Sequence, residues 1–251
     1  MNKLIVSADD FGYTKEVNLG ILDAHRFGTV TSTTIMANQN YFDHAIAIYP
    51  KSLGIGVHLN LTWGNSLLNG KKFSPWNKQK IVLGIIDKEF VEDEFRKQIE
   101  KLLEVGIRPD HLDTHHHMHA FQPVTNAIIK LAQEYHIYKI RWPKEKENKM
   151  ILQTSYLKQK LINKNLKECP IKTTDHFYGV LHAGKPELKH FLSYLNFEGT
   201  AEICCHPGKK YGTKQDKLWK TREKELQILT NDMFLNKIKE KNIQLITFKE
   251  L

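Results

Sequence analysis

The stretch HLDTHHHMH, residues 111 to 119, sets five of the chain's thirteen histidines and one aspartate within nine positions. Imidazole is among the commonest metal ligands, so this concentration raises metal chemistry first. Read as a strand, it groups His111, Asp113, His115, His117 and His119 on one face and Leu112, Thr114, His116 and Met118 on the other. A purely structural buried strand would carry an apolar run instead. A solvated loop with inert histidines is the competing account. A second candidate is the pair Asp9 and Asp10 in ADDFG. Two neighbouring carboxylates are costly to hold close unless a cation or a shared proton relieves them, although a turn before Gly12 also accommodates such a pair. His58, in GVHLNLT, sits among Val57, Leu59 and Leu61, where a core histidine bonded to a carbonyl is the alternative.

One carboxylate with two imidazoles would hold a hard or borderline divalent ion and leave positions open for water and substrate, the mark of a catalytic site. Such an ion lowers the pKa of coordinated water and polarises a carbonyl. With Asp10 as ligand, Asp9 is a candidate to take the water proton. His206, in CCHPG, is a candidate acid for a leaving nitrogen, with a turn before Pro207 as the other account. Arg141, in IRWP, could bind a neighbouring carboxylate or a substrate anion. Cys204 and Cys205 point to opposite faces of a strand and read as small buried hydrophobes.

These residues need a scaffold, and the chain supplies a repeating β–α order. KLIVSA (3 to 8) reads as a buried strand, residues 17 to 28 as a helix closed by Gly28, 29 to 37 as a strand, 41 to 50 as a helix and 53 to 62 as a strand. Residues 63 to 88, with Gly64, Gly70, Pro75 and two tryptophans, read as an inserted loop. Phe95, Ile99, Leu102 and Leu103 share one face of a helix over 89 to 106. RPDHLDTH follows as a strand. Helices are then expected at 123 to 135, 151 to 167, 186 to 195 and 216 to 241, and strands at 137 to 142, 171 to 177, 200 to 205 and 243 to 248. Seven or eight such units predict a single α/β domain spanning 1 to 251, a distorted TIM-like (β/α) barrel of parallel strands. Barrel sites form at the C-terminal strand ends, where Asp9, Asp10, His58, Asn60, Asp113, His115, Arg141, Glu202 and His206 all fall.

The net charge of +9 could attract an anionic partner, but the lysines are dispersed over helical segments such as LKQKLINKNLKE. A solvated surface is expected, and no nucleic-acid partner. No apolar run approaches the roughly 18 residues of a membrane span. The short N-terminal apolar stretch is neither a secretory core nor an anchor. Three cysteines, Cys169, Cys204 and Cys205, suit a reducing compartment, so a cytoplasmic location is expected.

Taken in order, ADDFG, VTSTTIM, GVHLNLT, HLDTHHHMH and EICCHPG resemble the YdjC/ChbG-like carbohydrate deacetylases, from the first strand to about residue 230. The resemblance implies a β/α barrel of the deacetylase type, a homodimer, and a divalent metal, Mg²⁺ or Zn²⁺. Onto matching positions it carries Asp10, His58 and His115 as metal ligands and Asp9 as base. The assignment of His206 as acid rests as much on the chemistry above as on the family pattern. Asn60, Asp113, His117 and Arg141 are expected to orient the site or the substrate. The expected reaction removes the acetyl group of a 2-acetamido sugar, such as diacetylchitobiose or its 6-phosphate, with Trp63, Trp76 and Trp142 as candidate sugar platforms. Residues 63 to 88 vary within the family and are where substrate choice is expected to be set. A metal-dependent phosphoesterase and a non-enzymatic metal-binding protein are the alternatives.

Overall fold

The computed structural model describes residues 1–145, 171–209, 216 and 218–251. Their seven strands are β1 (Lys3–Phe11), β2 (Ser32–Ile35), β3 (Gly54–Leu59), β4 (Leu112–Thr114), β5 (His176–Tyr178), β6 (Thr200–Cys205) and β7 (Gln244–Leu245). The sheet order is β4-β3-β2-β1-β6-β5, with β7 on β1. The pairs β1 with β2, β6 and β7, β3 with β4, and β5 with β6 are all parallel. The β–α order thus produces the expected parallel α/β fold. β1 shows why: eight of its nine residues are buried without alternation, as a parallel strand covered on both faces requires.

The chain forms two compact units built from interleaved segments. The first comprises Met1–Ile35, Asn40–Ile55 and Thr174–Leu251, and the second Met36–Gln39 and Gly56–Thr173. In the first, Leu4, Ile5 and Val6 of β1 and Ile203 of β6 form the centre, alongside Val17 and Ile21 of α1 (Lys15–Arg26). Thr14 caps α1 by accepting the Val17 N–H. In the second, α4 (Lys88–Glu104) buries Val91, Glu94, Phe95, Gln98, Ile99 and Leu102, one helical stripe, and packs on α5 (Gln122–Glu134). Gly56 of β3 is there because a Cβ would stand 2.6 Å from the His111 ring, which fills the space and bonds Asp110. His111 is thus a packed core histidine.

Several boundaries differ from the sequence reading. The helix expected over 41 to 50 is α2 (Phe42–Ile48), and the segment expected to remain loop over 63 to 88 contains α3 (Asn77–Leu83), closed by Gly84 at φ 73°. β4 stops at Thr114, and His115–Ala120 forms a 3₁₀ turn in which His116 and His117 have φ of 60° and 52°. Alternation therefore cannot place His115, His117 and His119 on one face. The strand expected at 137 to 142 is reduced to the bridges Leu112↔Ile140 and Lys139↔Lys172. It runs into Pro143, which has no N–H to donate. Of the strand expected at 171 to 177 only a short, shifted piece forms as β5 (His176–Tyr178), and the helix expected at 186 to 195 is α6 (Leu188–Ser193). The long helix expected at 216 to 241 is two, α7 (Arg222–Leu229) and α8 (Asp232–Glu240). Asn231 divides them, its side chain accepting the Met233 N–H as an N-cap. The helix expected over 151 to 167 lies outside the described residues. Among the described residues no helix is long and apolar enough to cross a membrane.

Candidate active site

In the first unit the chemistry begins where β1 ends. Against β2, Ala8 pairs with Thr33 but Phe11 with Ile35, so β1 carries one extra residue there, and Asp10 sits at φ 71°. A bulge of this kind re-aims side chains, which is how two successive aspartates meet separate partners. Asp9 is buried and accepts the Thr34 hydroxyl at 3.3 Å and the Cys204 thiol at 3.2 Å, and its Oδ2 lies 3.9 Å from His206 Nε2. Asp10 accepts from Arg222 at 2.6 Å, and Arg222 also donates to Asp216. Burial works against the Arg222 charge, but the two carboxylates outweigh it and hold its pKa above the ordinary value. Tyr13, whose ring lies 5.8 Å from the guanidinium, is pushed up to about 12 by burial and then by Asp216 and Asp10.

His206 is fixed from behind. Its backbone N–H donates to Glu225 Oε2 at 2.6 Å, and its Nδ1 lies 3.9 Å from the same carboxylate. Burial pushes the Glu225 carboxyl up, with His206 opposing. The loop after His206 lies against α1 because both contact points are glycine: a Cβ on Gly20 would stand 2.3 Å from Gly208 Cα. That close approach explains a glycine inside a helix, where it costs about 0.5–1 kcal/mol relative to alanine.

In the second unit His58 and Asp113 are register partners on β3 and β4. His58 Nδ1 lies 2.7 Å from Asp113 Oδ1, while Arg141 donates to the other oxygen, all three side chains being buried. An ionised carboxylate only accepts, so Nδ1 carries a proton, and in the neutral ring Nε2 is the atom with the lone pair. His115 reaches the same state by a different route. The Asn60 amide nitrogen donates to Asn38 Oδ1 and to the Trp63 carbonyl, at 3.0 and 2.6 Å. Asn60 Oδ1 is thereby the acceptor, and it lies 3.3 Å from His115 Nδ1. The Thr62 hydroxyl lies 2.9 Å from Nδ1 of both His115 and His116. His115 Nδ1–H therefore points at acceptors, and its Nε2 also presents a lone pair. The His58 and His115 rings stand 5.6 Å apart, edge to face.

Behind Asn60, Gln98 bonds both its N–H and its carbonyl, at 2.8 and 2.7 Å, and Glu94 accepts the Ser66 hydroxyl and the N–H groups of Leu67 and Leu68. Buried polar groups of α4 thus lock the loop after β3.

The structure therefore brings Asp9 and His206 together in the first unit, with Asp10 turned to Arg222, and brings His58, Asn60, Asp113, His115 and Arg141 together in the second. His117 packs edge-on against His119, at 6.1 Å, in the left-handed turn. His119 itself is buried against the Thr114 hydroxyl at 2.6 Å. Of the tryptophans, Trp63 is 37% and Trp76 65% exposed. Sequence reasoning missed Thr62, Gln98, Asp216, Arg222 and Glu225. Arg222 and Glu225, three apart in TREKELQ, look like a solvated charged face. Asn60 before Thr62 does carry a signal, because asparagine favours bonding backbone two residues on, as it does here to the Thr62 N–H at 2.9 Å.

The family model described as YdjC-like protein matches residues 3–240. A carbohydrate deacetylase of Clostridium beijerinckii is 36% identical over 99% of this chain and 100% of its own, and one of Brevibacillus brevis is 32% identical over 99% of each. A crystal structure of a proposed cellobiose-phosphate cleavage protein from Enterococcus faecalis V583 superposes with a TM-score of 0.81 at 29% identity, covering 100% of this chain and 99% of that one. A peptidoglycan N-acetylglucosamine deacetylase superposes with a TM-score of 0.54 at 11% identity over 98% and 85% of the two chains, a likeness of fold alone. With the motif residues gathered at β1, β3, β4 and β6 and the match running nearly end to end, this chain belongs to the YdjC-like protein family.

Proposed function

We propose that the protein is a metal-dependent carbohydrate deacetylase that removes the acetyl group from a 2-acetamido sugar. The observation that carries this reading is the matched state of His58 and His115, each with Nδ1–H committed to an acceptor and Nε2 offering a lone pair. Two imidazoles so fixed fit a divalent ion, and the family resemblance supplies Asp10 as its carboxylate ligand and Mg²⁺ or Zn²⁺ as the ion. When bound, the ion would supply Lewis acidity toward the acetyl carbonyl and toward water.

The chain's own residues supply the proton transfers. Asp9 takes a proton from the attacking water as its oxygen bonds to the acetyl carbon. His206 gives a proton to the nitrogen as the C–N bond breaks, so that acetate and a free amino sugar leave. Asp113 and Arg141 fix the His58 ring, and Asn60 fixes His115. His117 is assigned to the rim, where it can orient substrate. The names of the curated relatives support the acetylated sugar, and the cellobiose-phosphate description of the structural relative supports a disaccharide with a phosphate, such as a small N-acetylglucosamine oligosaccharide or its 6-phosphate.

A cytoplasmic homodimer completes the proposal. Exposed Trp76, Val82, Leu83 and Ile85 on and beside α3 give it an apolar surface on which a second copy could pack, and light scattering would test it. The function itself is tested by acetate release from N-acetylated mono- and disaccharides, with and without phosphate. Phosphate release without acetate would instead identify a phosphoesterase.

A further inference from the structure

Cys204 has no part in the reaction above, yet its thiol lies 3.2 Å from Asp9 Oδ2, and the same oxygen lies 3.9 Å from His206 Nε2. One ligand atom from each of the three residues falls within 4.8 Å of the others. Around a tetrahedral zinc, sulfur and oxygen ligands stand about 3.5 Å apart, and nitrogen and oxygen about 3.3 Å, from the usual bond lengths. The three donors therefore need to shift by only a fraction of the spacing they already have. The ring of His206 is also oriented as a ligand's would be, Nε2 toward the cluster and Nδ1 toward the Glu225 carboxylate at 3.9 Å. The donor set is softer than the imidazole and carboxylate set proposed for catalysis, because it includes a thiol. His206 is 13% exposed and gives the cluster its access to solvent.

We propose that Asp9, Cys204 and His206 form a second, inhibitory site for a zinc-class cation. On binding, the Cys204 S–H bond gives way to an S–metal bond, its proton leaves to solvent, and Asp9 and His206 are withdrawn from proton transfer. The inhibition rests on the functional reading above, whereas the binding does not.

The test uses Co²⁺ on the metal-stripped full chain, followed by Zn²⁺ competition. A near-ultraviolet thiolate-to-cobalt band is expected in the wild type and in C169S and C205S, and is expected to be lost in C204S and C204A with their circular dichroism unchanged. Equilibrium dialysis should show one fewer metal per chain in C204A. With acetate release as readout, the Zn²⁺ concentration for half-inhibition should rise at least about tenfold in C204A. Absence of the band from folded wild type, or its survival in both Cys204 variants, would overturn the site. Equal zinc sensitivity of C204A and wild type would overturn its inhibitory role. A Cys204-dependent band in a protein that releases no acetate would leave the site standing and remove the deacetylase reading instead.

Discussion

Replacing Asp113 by asparagine probes how the site is held, because one carboxylate accepts from two donors at once. Asp113 accepts from His58 Nδ1 at 2.7 Å with one oxygen and from Arg141 with the other, and all three side chains are buried. Asparagine has one acceptor oxygen. If it serves Arg141, its N–H groups face His58 Nδ1, which must then carry the lone pair and leave the proton on Nε2, the tautomer that cannot bind a metal. Loss of a metal ligand's supporting partner costs about 10–100-fold in affinity, or roughly 1.4–2.7 kcal/mol. The uncompensated Arg141 adds a stability loss at or below the lower end of the roughly 3–5 kcal/mol seen when buried pairs are broken. Calorimetric titration of Zn²⁺ into stripped D113N reads the first effect, and denaturant unfolding reads the second. The double variant D113N/R141M should recover stability without recovering metal affinity. Wild-type affinity in a folded D113N would refute the argument that Asp113 sets the His58 tautomer.

The two aspartates should separate: D9N is expected to keep the ion assigned to Asp10, His58 and His115 and lose at least about a hundredfold in kcat, while D10N loses that ion, so equal Mg²⁺ affinity in the two variants would contradict their proposed roles. T62V removes the hydroxyl 2.9 Å from His115 and His116 and is expected to weaken metal binding by about tenfold, with T62S restoring it; an unchanged T62V would remove Thr62 from the site. Burial, and then His117, lowers the His119 pKa to about 3. The unfolded chain takes up a proton near pH 6.5 that the folded chain refuses, so this contribution is fully present above pH 6.5 and is lost as pH falls toward 3. The slope approaches about 1.4 kcal/mol per pH unit. Unfolding of H119N at pH 7 and pH 5 should show a shallower pH dependence than wild type, and an identical dependence would contradict the buried neutral state.

Much of the site is readable in the sequence because strand ends carry its chemistry. ADDFG, GVHLN and EICCH each place their candidate residue at the end of an apolar strand, and β1, β3 and β6 form there. HLDTHHHMH is only half readable. Its strand ends at Thr114, and two left-handed histidines then break the alternation, a backbone state that no periodicity announces. His58 with Asp113 follows from strand register, but the His115 support does not, since Asn60, Thr62 and Asn38 meet through the turn after β3. Arg222 and Glu225 are hidden for another reason. In sequence they belong to a charged helix, and only folding turns them toward Asp10 and His206.

The central claim, metal-dependent deacetylation, is tested most directly by acetate release from N-acetylglucosamine oligosaccharides by metal-stripped protein before and after restoring Mg²⁺ or Zn²⁺. Release that appears only with metal, and disappears in a folded D9N that still binds it, is the predicted result. Equal release by stripped and restored enzyme, or none from either across phosphorylated and unphosphorylated sugars, would contradict it.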